Sequence, residues 1–230
     1  LIPSKELLKE LKKHLTVERV QRIEEVASQR SRKLCLVLED IRQEHNIGAL
    51  LRTADILGIQ DVHLVSQKYE ARLAKAIAKG STKWVSLFRY QERDENNLDH
   101  CLESLNTQGY QLMVADPEGE TALEDFSYQG EPIALLMGSE WEGVSPQAKA
   151  AAKHRIRIPQ YGFTQSFNVS VAAALILNRI NAVMRASDFP YQLSEEERIE
   201  LELDWVMKRL GDSAGPIKRK IEEDWLSKSK

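Results

Sequence analysis

Three clusters in this chain combine residue types and spacings that chemistry requires. The most specific spans residues 158–174, IPQYGFTQSFNVSVAAA. An apolar run ends at Ile158, Pro159 stops it, and a glycine loop follows. Ser166 or Asn168 is then placed to cap a helix rich in small side chains. Alanines at that density allow backbone to pack closely on backbone. An ordinary turn does not need so many specific polar residues, so the segment reads as a ligand loop feeding a packed helix.

The second cluster is LLMGSEWEG, residues 135–143. An apolar strand runs into an acidic loop framed by Gly138 and Gly143, which lets backbone approach a ligand. An ordinary strand-to-helix turn would look similar. The first cluster is Glu44-His45-Asn46, leading into a helix with Arg52 and Thr53. Asn46 reads equally well as an N-cap. Arg52 lies among Leu50, Leu51 and Ala54, and an arginine on an apolar helix needs a partner. A structural salt bridge and an anion site both satisfy that need.

Other chemistries lack their signatures. No GxGxxG follows the first predicted strand, and Gly80-Ser81-Thr82-Lys83 lacks phosphate-loop order. Gly138-Ser139-Glu140 is not a nucleophile elbow. No HExxH or clustered His/Cys set exists, so no metal is expected. The five histidines are scattered and read as structural, His45 least clearly so.

The elements that must position these clusters alternate. Short apolar runs predict strands at 34–38, 62–65, 84–88, 112–115, 133–137 and 155–158. Helical spacing predicts helices at 47–57, 71–79, 98–107, 146–153 and 169–185. This order means a mainly parallel sheet covered by helices, with ligands at the strand ends. Two helices precede it, with Ser4 and Thr16 as expected caps. Two follow, one opened by a Ser194–Glu197 capping box and one by Pro216.

The 230 residues suffice for one α/β domain plus helical extensions. No apolar run reaches the roughly 20 residues of a membrane helix. The charged, amphipathic start does not resemble a secretory signal. Cys35 and Cys101 read as buried thiols in a reducing cytoplasm. Residues 1–33 hold nine Lys/Arg and five Asp/Glu, a balance of +4; the total of −3 leaves −7 for the rest. That basic extension suits phosphate contact or a solvated helix face.

Together, Asn46 with Arg52-Thr53-Ala54-Asp55, Gly80-Ser81 before Trp84, the GSEWEG loop and the 158–174 segment resemble the three motifs of SPOUT-class ribose 2′-O-methyltransferases. The chain is most similar to their TrmH-type tRNA (guanosine-18-2′-O)-methyltransferases, over about residues 34–186. That resemblance implies an α/β SPOUT fold with a C-terminal trefoil knot, although knots are rare. It implies a helical RNA-binding extension over 1–33, the methyltransferase domain over 34–186 and a helical extension over 187–230. S-adenosylmethionine is the implied cofactor, held largely through backbone at Ala115, Gly138, Ile158 and Phe167. The family often has Thr at the first of these positions and Leu at the last. The implied partners are tRNA and a second copy of the chain, in the cytoplasm, with no membrane or metal. The basic residues expected at RNA are Lys5, Lys9, Lys12, Lys13, Arg19 and Arg22.

The resemblance gives Arg52 the central catalytic role. Free arginine is a poor base, so a charged guanidinium that steers the hydroxyl, with a phosphate oxygen taking the proton, is the favoured version. Asn46 and Glu140 are expected to orient Arg52 or the ribose. Ser166 and Asn168 are expected to fix the loop and the substrate phosphate. The alternatives are another tRNA or rRNA nucleotide, and a catalytically silent RNA-binding form. The presence of all five residues argues against the silent form.

Overall fold

The computed structural model describes residues 2–68, 83–93 and 95–228. The expected helix 71–79 and the Gly80-Ser81 pair lie outside them. The chain forms two compact units, Ser31–Tyr191 and a unit built from Leu1–Arg30 with Gln192–Lys230.

The larger unit contains seven described strands: β1 Leu34–Glu39, β2 Asp61–Val65, β3 Ser86–Tyr90, β4 Gln111–Ala115, β5 Thr121–Ala122, β6 Ile133–Met137 and β7 His154–Arg157. Their order is β3-β2-β1-β6-β4-β7-β5, and every pair is parallel. Parallel strands need crossover connections, so both faces of the sheet are covered. That is why β1 and β6 are unbroken apolar runs, buried along their whole length. Helices α3 (Glu44–Ile56) and α6 (Val169–Arg185) supply one core, through Ile47, Leu50, Leu51, Ala173, Ile176 and Leu177. Helices α4 (Asn97–Thr107) and α5 (Pro146–Ala151) supply the other, through Leu98, Leu105 and Ala148. Cys35 and Cys101 are buried free thiols in that second core. His63 stacks on Phe88 at 4.8 Å, and burial pushes its pKa down to about 4.

The expected strands at 84–88 and 155–158 shift to Ser86–Tyr90 and His154–Arg157. Ladder hydrogen bonds to β2 and β4 set these limits, not apolarity. Strand β5 was not expected; two residues carry no periodicity to read.

In the smaller unit, α1 (Ser4–Lys12) packs on α7 (Glu195–Leu210) and α8 (Ala214–Lys228), and α2 (Val17–Ala27) packs on α7. The terminal segments therefore share one core, with Leu7, Leu8, Leu11 and Trp205 buried. The Ser194–Glu197 capping box forms. Ser4 does not cap α1, because Pro3 takes the N-cap position and Ser4 falls inside the helix. Thr16 is the α2 N-cap residue but makes no side-chain cap bond. Pro216 lies in the first turn of α8, where the backbone N–H it lacks would have no helical acceptor.

Candidate active site

A cleft of about 970 Å³ opens where β4, β6 and β7 end. That is the end of an open parallel sheet where ligands bind. Ala115, Gly138, Ile158 and Phe167, the four expected cofactor positions, all line it. Glu140, Ser166 and Asn168 line it too. Its floor is apolar, with Met137, Val144, Ile156, Ala172 and Ile176. Its ionisable lining is Asp116, Glu118, Glu140 and Glu142 against Lys149. An excess of carboxylates suits a cationic ligand.

Gly138 has to be glycine. A Cβ built there would lie 2.1 Å from the Gly143 carbonyl oxygen and 2.3 Å from the Val144 nitrogen. The loop is closed by reciprocal backbone bonds, Ser139 N to Gly143 O at 3.1 Å and Gly143 N to Ser139 O at 3.0 Å. Gly143 turns the chain at φ 69°.

One hydrogen-bonded chain joins all three clusters. Asn46 Nδ2 donates to Glu140 Oε1 at 2.6 Å and to Gln43 Oε1 at 3.2 Å. Asn168 Nδ2 donates to Asn46 Oδ1 at 3.2 Å. Asn168 Oδ1 accepts from the Ser170 nitrogen at 2.9 Å and caps α6. Asn46 is buried, so both of its amide hydrogens and its oxygen are engaged within the protein. It is not the N-cap of α3. The helix starts two residues earlier, at Glu44, and the Asn46 side chain reaches across to Glu140 instead.

Arg52 is not brought into this cleft. Six residues of helix separate it from Asn46, about 9 Å along the axis and about 120° around it. Its side chain is exposed, and it makes no hydrogen bond or ion pair among the described residues. Ser166 and Trp141 line the cleft and are both exposed.

The six basic residues expected at RNA divide. Lys12 is turned inward, 2.7 Å from Glu24 and 2.6 Å from Glu202. Lys5, Lys9, Lys13 and Arg22 are exposed and form surface pairs with Glu195, Glu6, Glu10 and Glu25. Arg19 is exposed.

Sequence reasoning missed Gln43, Asp116 and Lys149. Gln43 sits one helical turn before Asn46, and Asp116 directly follows the end of β4, which are the signals that could have found them. Among the described residues, no group of three His, Cys, Asp or Glu is placed to hold a metal ion, and no helix is long and apolar enough to cross a membrane.

Comparison with known proteins matches residues 33–178 to the SpoU rRNA Methylase family. The chain belongs to that family. It is 34% identical over 194 residues to a tRNA (guanosine(18)-2′-O)-methyltransferase of Borreliella burgdorferi, covering 84% of this chain and 86% of that one. It is 37% identical over 163 residues to an enzyme of the same name from Thermus thermophilus, covering 70% and 81%. Among solved structures, the A. aeolicus TrmH/SpoU tRNA modifying enzyme superposes with a TM-score of 0.72 at 28% identity, over 85% of this chain and 98% of that one. The AdoMet complex of AviRb from Streptomyces viridochromogenes shares the fold, with a TM-score of 0.59 at 22% identity, over 75% and 66%.

Proposed function

We propose that this protein transfers a methyl group from S-adenosylmethionine to the ribose 2′-hydroxyl of guanosine 18 in tRNA. The observation that carries this reading is the Asn168–Asn46–Glu140 chain, which ties all three motifs together at one acidic, apolar-floored cleft. The relatives' shared name supplies the substrate.

The cleft suits the cofactor. Its volume lies in the range of small-molecule sites, about 300–1,000 Å³. Apolar residues offer a bed for a purine, Gly138 exposes peptide groups, and the carboxylates suit a sulfonium cation. Bound there, S-adenosylmethionine supplies an electrophilic methyl group. The protein's own residues do the rest. Ala115, Gly138, Ile158 and Phe167 hold the donor. Asn46 fixes the Glu140 carboxylate, so Glu140 meets the ribose in one orientation. Ser166, exposed on the cleft lining, and Asn168 hold the 158–168 loop and meet the substrate phosphate. Arg52 lies off its own chain's cleft, so it acts where the second copy in the homodimer brings a cleft to it: there the guanidinium grips phosphate and steers the hydroxyl while a phosphate oxygen takes the proton. Alignment of this kind lowers barriers by several kcal/mol.

The active form is a homodimer. Val171 and Leu175 on α6 are 47% and 44% exposed, and Ile56 on α3 is 75% exposed. Ile56 lies one helical turn beyond Arg52 on α3, and α3 packs against α6, which carries Val171 and Leu175. A second copy on this face covers them and completes the site around Arg52. The segment 158–168 borders the cleft on its way from β7 to α6, and we read it as part of a C-terminal trefoil knot. Residues 34–186 carry the chemistry. Residues 1–33 bring Lys5, Lys9, Lys13, Arg19 and Arg22 to tRNA, and 187–230 support them. Free buried thiols suit the cytoplasm.

The test is mass mapping of methylated nucleotides after reaction with total tRNA and, separately, rRNA transcripts. A single 2′-O-methylguanosine at position 18 of tRNA is expected. Methylation elsewhere overturns the substrate, and no methylation of any RNA overturns the activity.

Asn168→Ala is expected to weaken both cofactor affinity and turnover, and to cost about 1 kcal/mol of stability through the lost cap. Asn168→Asp keeps the capping oxygen but loses the donor to Asn46. It should recover the melting temperature without recovering turnover. Wild-type affinity and rate in Asn168→Ala would count against this placement.

A further inference from the structure

A buried carboxylate lines the cofactor cleft outside the motifs described above. Asp116 follows the last residue of β4 and is 3% exposed. Its Oδ2 lies 2.8 Å from Arg155 Nη2 and 2.9 Å from Lys149 Nζ. Arg155 Nε donates to the same oxygen at 3.2 Å. Its Oδ1 accepts from the Glu118 nitrogen at 3.1 Å. Its backbone is engaged too: Asp116 N donates to Ile156 O at 2.9 Å, and Gly119 N donates to Asp116 O at 2.9 Å. One side chain therefore joins the loop 116–120 to β7 and to α5.

That loop needs a fastening. It forms a wall of the cleft through Asp116, Pro117 and Glu118. It leads only into β5, two residues at the edge of the sheet, whose ladder is too short to fix it. The loop also lies hard against β7, since a Cβ on Gly119 would sit 2.6 Å from the Arg155 carbonyl oxygen. Burial would push the Asp116 carboxyl up, but Lys149, the Glu118 amide and Arg155 hold it below the ordinary carboxylate range. It is therefore an anion inside the protein, and such a group is strongly held by its partners.

We propose that Asp116 is a positioning residue that sets the shape of the S-adenosylmethionine cleft by clamping the 116–120 wall onto Arg155 of β7 and Lys149 of α5. The inference rests on the cofactor reading above. Asp116 is engaged with protein groups, so it acts through the backbone it holds. Arg155 does not line the cleft; it grips the 116–120 loop through Asp116 and, at 3.2 Å, through the exposed Glu120, so an effect of changing it reaches the cofactor by way of that loop.

The experiment measures S-adenosylmethionine dissociation constants by calorimetry for the full-length wild type, Asp116→Asn, Arg155→Gln and the double variant. Hydrogen exchange of 116–120 is followed in each. Asp116→Asn keeps the size of the side chain and its acceptor for the Glu118 amide, while removing the charge. Its affinity is expected to fall about tenfold, as for loss of one charge-assisted pair. Arg155→Gln should weaken binding in the same direction, and the double variant should be no weaker than Asp116→Asn alone. Faster exchange at 116–120 should accompany the loss, with tRNA affinity within about twofold of wild type. Wild-type cofactor affinity in Asp116→Asn overturns the proposal. So does strict additivity in the double variant, or a loss shared equally with tRNA binding, which marks general unfolding. Failure of the wild type to bind the cofactor instead overturns the underlying reading.

Discussion

Arg52→Ala is expected to lower methyl transfer to tRNA at least about 100-fold while leaving S-adenosylmethionine affinity within about twofold. Removal of one preorganised charge stabiliser typically costs 10²–10³ in rate. The location of Arg52 makes this test clean. The side chain is exposed and has no hydrogen-bond or ion-pair partner among the described residues. Exposed positions without such partners usually change stability by no more than about 0.5 kcal/mol when substituted. A lost rate therefore cannot be charged to a lost fold. Arg52 also lies off the cleft, so cofactor affinity should not follow the rate. Arg52→Lys separates charge from geometry. Lysine keeps the positive charge but not the planar fork that grips a phosphate in two places. It should retain tRNA binding better than Arg52→Ala and still be slow. Single-turnover rates, with tRNA affinity by filter binding, decide the matter. Full activity in either variant would remove an essential guanidinium from the mechanism.

Gly138→Ala is expected to weaken cofactor binding at least tenfold. The three atoms nearest an added Cβ, at 2.1–2.3 Å, all belong to the Gly143–Val144 backbone. No rotamer change relieves backbone. The loop must open, breaking the reciprocal Ser139–Gly143 bonds. Overpacking of this kind costs about 1–3 kcal/mol, or roughly 5- to 150-fold if it falls on the bound form, and contact with backbone rather than a movable side chain puts Gly138 in the upper part of that range. Gly143 gives the contrast. It needs a positive φ but has nothing within 4 Å of an added Cβ. Gly143→Asn, a residue tolerant of that conformation, should bind within a few fold of wild type. Calorimetry on the two variants checks both statements. Equal affinities would mean that the close approach at Gly138 does not shape the site.

The apolar runs and the Asn168 cap were legible because they are local. A parallel strand buried on both faces has to be apolar, so β1 and β6 announce themselves. A cap lies within two or three residues of the amides it serves, so the sequence narrowed it to Ser166 or Asn168, and the structure gives the cap to Asn168. Arg155, Lys149 and Asp116 are different. Each alone reads as an ordinary surface residue, and only the pairing of β4 with β7 makes them a clamp.

The resemblance supplied four expected cofactor positions, and all four line the cleft; by itself the sequence determined the βα alternation, the parallel class of the sheet and the three motifs. Those follow from periodicity, turn chemistry and spacing within short windows. The tertiary structure alone decided what the motif residues do to one another. It turned Asn46 from a reading as a helix cap into a buried link between Glu140 and Asn168, 94 and 122 positions away. It left Arg52 exposed, with no hydrogen-bond or ion-pair partner among the described residues, and it spent Lys12 on two carboxylates. The reason is physical. Spacing fixes which face of an element a side chain occupies, but its partner comes from whichever element the fold packs against that face.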